Sequence, residues 1–386
     1  MNTNKSVIFL FVYMSFQVCI AQQIENYTKG EIEIKVASFG YENPLTVGKV
    51  AEDGNIHFTW PEMNLDTTEN SDMYITSIQE MAGGSFCKDP DALFSNENAK
   101  LVKVDYIYVH KYGQRVGSII PSTQKDQEHR KDQLGTTLYW VFSDSETSAN
   151  TTCVEKMEWE GAYSFNKITT YDLQFSKGWN LVSTTLEEME EWDNGTEKGS
   201  LPKIIKIKSV DKIPDSIHWY LNYWANDELL EKEQQLMMLK PIAKEKYENW
   251  LPKKLGNLKR ASFEIGKELE RLPTTNNINM IFEKGQRTID LTIVDCAGNK
   301  EAASVFTLME DMASRDWRDE NETGYKSASK IGDKRVITDY DQKEAKTLIT
   351  YNSNQRFTVK AEATNLTPEE LWEQLKALDL ETLLED

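Results

Sequence analysis

Residues 31–36 read EIEIKV, an alternation of apolar and charged side chains from which the fold can be worked out. A period of two places the apolar side chains on one face, so this stretch is predicted to be a half-buried β-strand. Two further apolar runs follow, LTVGKVA at residues 45–51 and NIHFTW at residues 55–60, separated by EDG at residues 52–54. Because an Asp-Gly pair favours a tight turn, these two runs are predicted to form a β-hairpin.

The same rhythm of strands and turns continues as far as Ala225. No long helical period interrupts it, and one short helix is predicted within residues 73–81. The acidic stretch LEEMEEWDNGTEKGS at residues 186–200 is predicted to be an exposed loop. This pattern is typical of a mostly β, sandwich-like domain. Its further strands are predicted at residues 101–110, 116–120, 135–142, 169–175, 179–183, 203–210 and 216–224.

The sequence changes character at Asn226, a candidate N-cap for a helix that Pro241 must end. Residues 241–273 are predicted to be helical or loop-like. The last helix has Thr367 as its N-cap and Glu370 in position to complete a capping box. These elements predict an α+β domain with an antiparallel sheet and flanking helices on one side. Its strands are predicted at residues 277–285, 286–296, 333–340, 346–351 and 356–361, and another helix at residues 304–313.

Residues 1–21, MNTNKSVIFLFVYMSFQVCIA, have the pattern of a secretory signal peptide. Lys5 precedes the apolar run, and Ala21 is a small residue at its exit. From Val7 to Ile20 the run has 14 residues, fewer than the about 20 that span a bilayer. We therefore expect a cleaved leader at residues 1–21, a β-sandwich-like domain at 22–225 and an α+β domain at 226–386, without a transmembrane span in the mature chain.

The leader also bears on location and lipidation. A bacterial lipoprotein is cleaved before a cysteine that then carries lipid, and the leader contains Cys19. Such a signal needs a small residue before the cysteine, whereas this chain has Val18, so lipidation at Cys19 is disfavoured. The expected location is the periplasm, the extracellular space or the outer-membrane surface.

Three cysteines remain once the leader is removed: Cys87, Cys153 and Cys296. In an oxidising compartment two of them are expected to pair. Cys87 and Cys153 lie in one half of the chain and Cys296 lies far from both, so the predicted disulfide is Cys87 to Cys153. Cys296 is then left over, and we interpret it as a small buried side chain.

The charge of the chain limits its partners. With 63 acidic and 44 basic side chains the net charge is −19, whereas nucleic acids and anionic membranes attract clustered Lys and Arg. We therefore expect no nucleic-acid partner. The acidity itself is consistent with keeping a secreted protein in solution.

The sequence offers few groups for catalysis. Its four histidines form no zinc motif, so we predict no metal and no cofactor. No G-x-S-x-G elbow and no Gly-rich phosphate loop is present, and no catalytic residue is assigned. Paired carboxylates brought together by the fold leave no local signature, so a polysaccharide hydrolase remains an alternative.

The segment SIHWYLNYW at residues 216–224 is the densest group of aromatic side chains. On a strand such residues either pack in the core or form an exposed row for stacking on a ligand. Trp219, Tyr220, Tyr223 and Trp224 are accordingly the candidate ligand-stacking residues.

Both halves resemble secreted bacterial envelope proteins of an uncharacterised class. The N-terminal resemblance rests on a hairpin motif, two cysteines, a G-T-aromatic strand and a G-W-N strand end, here residues 53–58, Cys87, 135–140, Cys153 and 178–180. The C-terminal half is similar to a different secreted domain through Asp295 and residues 332–335, 356–359 and 379–383. These resemblances imply architecture and location and bring no established activity.

Three functions follow as hypotheses. The preferred one is a non-enzymatic binding or interaction protein of the bacterial envelope, which docks a protein or a glycan. The second is a secreted polysaccharide hydrolase with paired carboxylates. The third is an envelope assembly factor or a lipid or lipoprotein carrier, in which a curved sheet covered by helices holds an apolar ligand.

Overall fold

The computed structural model describes two compact units, which divide between Trp224 and Ala225. The first unit is mostly β and the second combines a sheet with helices, so the predicted fold class is confirmed. The proposed leader at residues 1–21, including Cys19, lies outside the described residues. Described are residues 22–66, 73–124, 133–159, 163–193, 197–269 and 276–385.

The described strands of the first unit form one hydrogen-bonded network of 14 strands. A short helix, α1 (Ile78–Met81), lies within the segment 73–81 where a helix was predicted. The strands are β1 (Ile32–Val36), β2 (Leu45–Val50), β3 (Ile56–Phe58), β4 (Ile75–Thr76), β5 (Leu93–Ser95), β6 (Leu101–Val104), β7 (Ile107–Lys111), β8 (Gln114–Ser122), β9 (Gly135–Ser143), β10 (Thr147–Trp159), β11 (Tyr163–Phe175), β12 (Gly178–Asp193), β13 (Lys198–Val210) and β14 (His218–Tyr223). Their order is β3-β2-β1-β7-β8-β9-β12-β13-β11-β10-β5, with β14 on β8, β6 on β9 and β4 on β6.

The strand at residues 31–36 forms as its alternation predicts. The side chains of Ile32, Ile34 and Val36 on β1 are at most 1% exposed, which places them in the core. The predicted hairpin of β2 and β3 is confirmed, with Val50 opposite Ile56 across the turn.

The prediction of a loop at residues 186–200 was wrong, because most of this stretch belongs to the long antiparallel hairpin of β12 and β13. Its glutamates are paired across the hairpin: Lys203 Nζ lies 2.7 Å from Glu188 and 2.9 Å from Glu190. Both faces of this part of the hairpin carry polar side chains, so the sequence lacks the apolar alternation that marks a strand. Residues 194–196 lie outside the described residues.

The second unit has a nine-stranded sheet in which the described neighbours are antiparallel. The strands follow one another across the sheet in the order β15-β16-β17-β18-β23-β22-β21-β20-β19. The strands are β15 (Lys254–Leu255), β16 (Leu258–Ile265), β17 (Asn277–Lys284), β18 (Arg287–Asp295), β19 (Trp317–Glu320), β20 (Gly324–Ile331), β21 (Lys334–Asp341), β22 (Lys346–Ser353) and β23 (Phe357–Thr364), and the helices are α2 (Asp227–Met238), α3 (Lys244–Trp250), α4 (Lys300–Met312) and α5 (Pro368–Leu375).

Helices cover both faces of this sheet, so the prediction of helices on one side was wrong. Successive strand residues point to opposite faces. On β18, Ile293 packs in a core with Leu371 of α5, whereas the next residue, Val294, packs with Leu236 of α2 and Phe306 of α4. The sheet therefore has a core on each side, and each core has its own helices.

Two of the predicted helix starts are confirmed by their caps. The Asn226 side chain accepts a hydrogen bond from the Glu228 backbone at 3.0 Å, and Thr367 and Glu370 form the predicted capping box. The segment 241–273 contains α3 but also β16, which was not predicted. Most side chains of β16 are exposed, so its pairing with β17 has no apolar pattern to mark it in the sequence.

Candidate ligand-binding groove

One face of the central strands of the first unit carries both a core and an open groove. Val141 of β9, Val182 of β12 and Leu173 of β11 are buried together under Ile78 and Ala82 of the α1 segment. Beyond this cover the same face continues as an open groove of about 750 Å³. Five tyrosines line it, and we call it the tyrosine groove: Tyr74, Tyr106, Tyr108, Tyr139 and Tyr171.

Tyr139 of β9 lies on the floor of the tyrosine groove. Burial raises the pKa of its phenol above the usual value, so the hydroxyl stays protonated and can donate a hydrogen bond. Lys103 Nζ lies 4.9 Å from the centre of the Tyr139 ring, a cation–π distance. The Thr184 side chain of β12 lies beside the Tyr139 hydroxyl and partly offsets the effect of burial on its pKa. These contacts hold the ring in one orientation.

The upper parts of the groove are aromatic and exposed. Tyr106, between β6 and β7, is 63% exposed, and its ring stacks on Tyr108 with 5.9 Å between centroids. On another part of the lining Tyr74 is 40% exposed and meets Phe39 edge to face at 6.0 Å. Exposed, mutually supported tyrosines offer flat apolar faces at small entropic cost.

The charged side chains of the groove are paired with one another or with neighbours. Lys103 Nζ lies 2.9 Å from Asp105, and Lys167 Nζ lies 3.1 Å from Glu155. Glu80 accepts a hydrogen bond of 3.1 Å from the Thr76 hydroxyl. The lining therefore combines aromatic faces with hydroxyls and compensated charges, which is the composition of a binding site.

The predicted disulfide is confirmed, and it holds one wall of the groove. Cys87 and Cys153 are bonded, with 4.8 Å between their Cα atoms. Cys153 lies on β10, and Cys87 follows α1, which contributes Glu80 and Met81 to the lining. The bond therefore ties the α1 segment to the sheet.

Gly83, between α1 and Cys87, makes this close packing feasible. Its φ of +102° is unfavourable for other residues, and a Cβ there would lie 2.9 Å from the Sγ of Cys153.

The four aromatic residues predicted from the sequence do not come together as one exposed row. Trp219 is 4% exposed and packs with Phe58 at 5.5 Å, so it belongs to the core. Tyr220 is half-buried near His218, and Tyr223 lies under Lys29, whose Nζ is 4.4 Å from the ring centre.

Trp224, the fourth of these residues, is 51% exposed. The Arg115 guanidinium lies 5.9 Å from the Trp224 ring centre and 4.7 Å from that of Tyr108. Arg115 therefore links Trp224 to the tyrosine groove, and of the four predicted aromatics Trp224 is the one with this connection.

The groove tyrosines were missed in the sequence because they come from distant segments. Tyr74 and Tyr171 are almost a hundred positions apart; β7, β9 and β11 contribute one tyrosine each, and Tyr74 and Tyr106 lie outside the strands. One signal in the sequence could have indicated a groove tyrosine: a tyrosine between apolar residues of a predicted strand, such as Tyr139 in GTTLYWVF. Only the sheet order, which places β11, β13, β12 and β9 side by side, shows that these residues share a face.

Among the described residues, no three His, Cys, Asp or Glu side chains come together as a metal site. Within the same part of the chain, no helix is long and apolar enough to cross a membrane. No family model matches the chain, and neither a curated protein nor a solved structure is significantly similar to it.

Cys296 is a free thiol in the second unit, and it is fully buried. Burial raises its pKa to about 12, so the reactive thiolate is suppressed at neutral pH. We expect iodoacetamide to leave Cys296 unlabelled in the native protein at pH 8 and to label it fully in urea, as mass spectrometry of tryptic peptides would show. Rapid labelling of the native protein would contradict this placement.

Proposed function

We propose that this chain is a secreted, non-enzymatic binding protein of the bacterial envelope or its surroundings, and that the tyrosine groove is its ligand site. The signal-peptide pattern at residues 1–21 supports secretion, and so does the disulfide, since such bonds persist in oxidising compartments. The observation that carries the proposal is the group of five tyrosines in one open groove.

The physical chemistry of the groove favours binding. Covering an aromatic ring with a ligand lowers the free energy of the complex. The ring of Tyr106 is mostly in contact with water without a ligand, so its burial would favour binding. Lys103 lies over the face of the largely buried Tyr139 ring, so this ring loses little freedom when a ligand arrives. The groove is thus largely pre-formed.

The two alternatives have less support in the groove. A hydrolase uses one carboxyl group as an acid and another as a base or nucleophile. Asp105 instead forms an ion pair with Lys103, and Glu80 hydrogen bonds to Thr76. A lipid carrier needs a dry apolar cavity, whereas the groove is open to solvent and charged side chains line it.

Substitution of an exposed groove tyrosine tests the proposal. Tyr106→Ala should weaken ligand binding by about fivefold to tenfold, because a stacked ring contributes about 1 to 1.5 kcal/mol. The side chain is 63% exposed, so the fold should be retained. Tyr112→Ala is the matched control, since Tyr112 is 49% exposed and belongs to the turn between β7 and β8, outside the groove lining.

Binding is to be measured by calorimetry with xyloglucan, glucomannan and dextran as neutral polymers, polygalacturonate as an acidic polymer and a casein digest as a peptide mixture. The proposal expects at least one probe to bind wild type and the Tyr112 variant equally and the Tyr106 variant more weakly. Binding that is unaffected by Tyr106→Ala, or no binding of any probe, would contradict it.

A further inference from the structure

A second cavity of about 540 Å³ adjoins the tyrosine groove on the same sheet. Both cavities are lined by Lys103, Asp105, Tyr106, Tyr139 and Thr184, which mark where the cavities meet, and we call this boundary the ridge. The first cavity extends from this ridge towards Tyr74, and the second extends to Asn222 of β14. Together they make one trough with its most exposed aromatic ring, that of Tyr106, in the middle.

The floor of the trough lies on the face of the central strands, whereas its two ends reach Thr76 of β4 and Asn222 of β14, strands that each pair with one other named strand. β9 has β12 as a neighbour, β12 has β13, and β13 has β11, so these strands pair their backbone groups with one another. A bound peptide carries one N–H and one C=O per residue, each of which needs a partner. Since the backbones of these central strands are already paired, a ligand on the floor of the trough must be recognised by side chains, and this disfavours an extended peptide there.

The charges of the trough are compensated. The ridge holds the ion pair of Lys103 and Asp105, and Lys167 in the first cavity is paired with Glu155. These pairs are partly exposed, but a ligand with one sign of charge would find in them only partners that are already paired. An uncharged ligand with many hydroxyl groups needs no such partner, since it can hydrogen bond to Thr76, Asp105 and Asn222 while these pairs stay in place.

We propose that the trough binds a linear, uncharged oligosaccharide that crosses the ridge, with sugar units on both sides of Tyr106. The apolar face of one sugar ring stacks on Tyr106, and the chain continues to Tyr74 on one side and to Asn222 on the other. This inference rests on the proposed binding function and adds to it the class of ligand and the direction in which it lies.

The inference is tested by the dependence of affinity on chain length. Cellohexaose, maltohexaose, xylohexaose and mannohexaose are compared with their disaccharides by calorimetry. For the sugar that binds, the hexasaccharide should bind about tenfold or more tightly than the disaccharide, because only the longer chain occupies both cavities.

Variants at the two ends of the trough provide the second readout. Tyr74→Ala and Asn222→Ala, at side chains that are both exposed, should each weaken hexasaccharide binding by about threefold to tenfold. Tyr112→Ala should leave it unchanged. Equal affinities for disaccharide and hexasaccharide, or an Asn222 variant with wild-type affinity, would overturn the extended placement and leave the groove as a ligand site.

The remaining outcomes separate the two proposals. If none of the neutral sugars binds, while polygalacturonate or the casein digest binds and depends on Tyr106, the sugar inference is wrong and the binding function stands. If binding of every probe is independent of Tyr106, both proposals are wrong.

Discussion

Replacing Asp295 by alanine is expected to destabilise the second unit by about 3–5 kcal/mol, as is usual when one partner of a buried ion pair is removed. The Asp295 side chain is fully buried, and Arg356 binds it with Nε at 2.7 Å and with a second guanidinium nitrogen at 2.9 Å. The same carboxylate accepts the backbone N–H groups of Ile242 at 2.8 Å and Ala297 at 3.2 Å. Removing it leaves two backbone amides without this acceptor and leaves the Arg356 guanidinium with the Lys240 carbonyl but without its carboxylate.

The measurement is urea unfolding followed by far-UV circular dichroism. Asp316→Ala is the control, because Asp316 forms an ion pair of 2.7 Å with Arg335 but its side chain is 74% exposed. Exposed pairs contribute about 0–1 kcal/mol, so this variant should unfold almost as wild type does. If the two variants lost similar amounts of unfolding free energy, Asp295 would not have the central role that its contacts indicate.

The second large effect is expected from loss of the disulfide. Cys87 and Cys153 are separated by 66 positions, and a crosslink over such a loop is worth about 4 kcal/mol in the chain-entropy model. The double substitution Cys87→Ala and Cys153→Ala should therefore lower the stability of the first unit by that amount. It should also weaken ligand binding, because the α1 segment with Glu80 and Met81 is no longer tied to β10.

Thermal unfolding with and without dithiothreitol tests this expectation. Reductant should lower the Tm of wild type and should leave the Tm of the double variant unchanged, since that variant has no bond to break. A double variant with the Tm and the affinity of wild type would show that the bond holds neither the unit nor the groove wall.

The sequence predicts those parts of the fold in which buried residues recur at the regular spacing of a strand or helix, or in which a local motif marks an end. Ile32, Ile34 and Val36 alternate because one face of β1 is buried, and the capping box at Thr367 marks a helix start by local chemistry. The strands at 179–183 and 203–210 were predicted, but their extension through residues 186–193 and 198–200 and the strand β16 were missed because these parts are largely polar. Their strands are held by backbone pairing and by ion pairs such as Lys203 with Glu188, which leave no apolar pattern.

The candidate site was less accessible to sequence reasoning than the fold. The dense cluster at residues 216–224 attracted the prediction, yet Trp219 is packed in the core against Phe58 and Trp140. The groove instead takes Tyr106, Tyr139 and other tyrosines from separate strands and connections. Their proximity depends on the non-sequential order of the sheet, in which β12 lies beside β9 and β13 beside β11. Local sequence carries no signal for that order.

The central claim is that ligand contacts the tyrosine groove, and fluorine NMR of fluorotyrosine-labelled protein tests it most directly. Resonances are assigned by single Tyr→Phe variants, and the best-binding oligosaccharide is then titrated. We expect the resonances of Tyr74, Tyr106, Tyr108, Tyr139 and Tyr171 to shift, and those of Tyr325, Tyr340 and Tyr351 in the second unit to stay in place. Shifts at the second set with none at the first would contradict the claim.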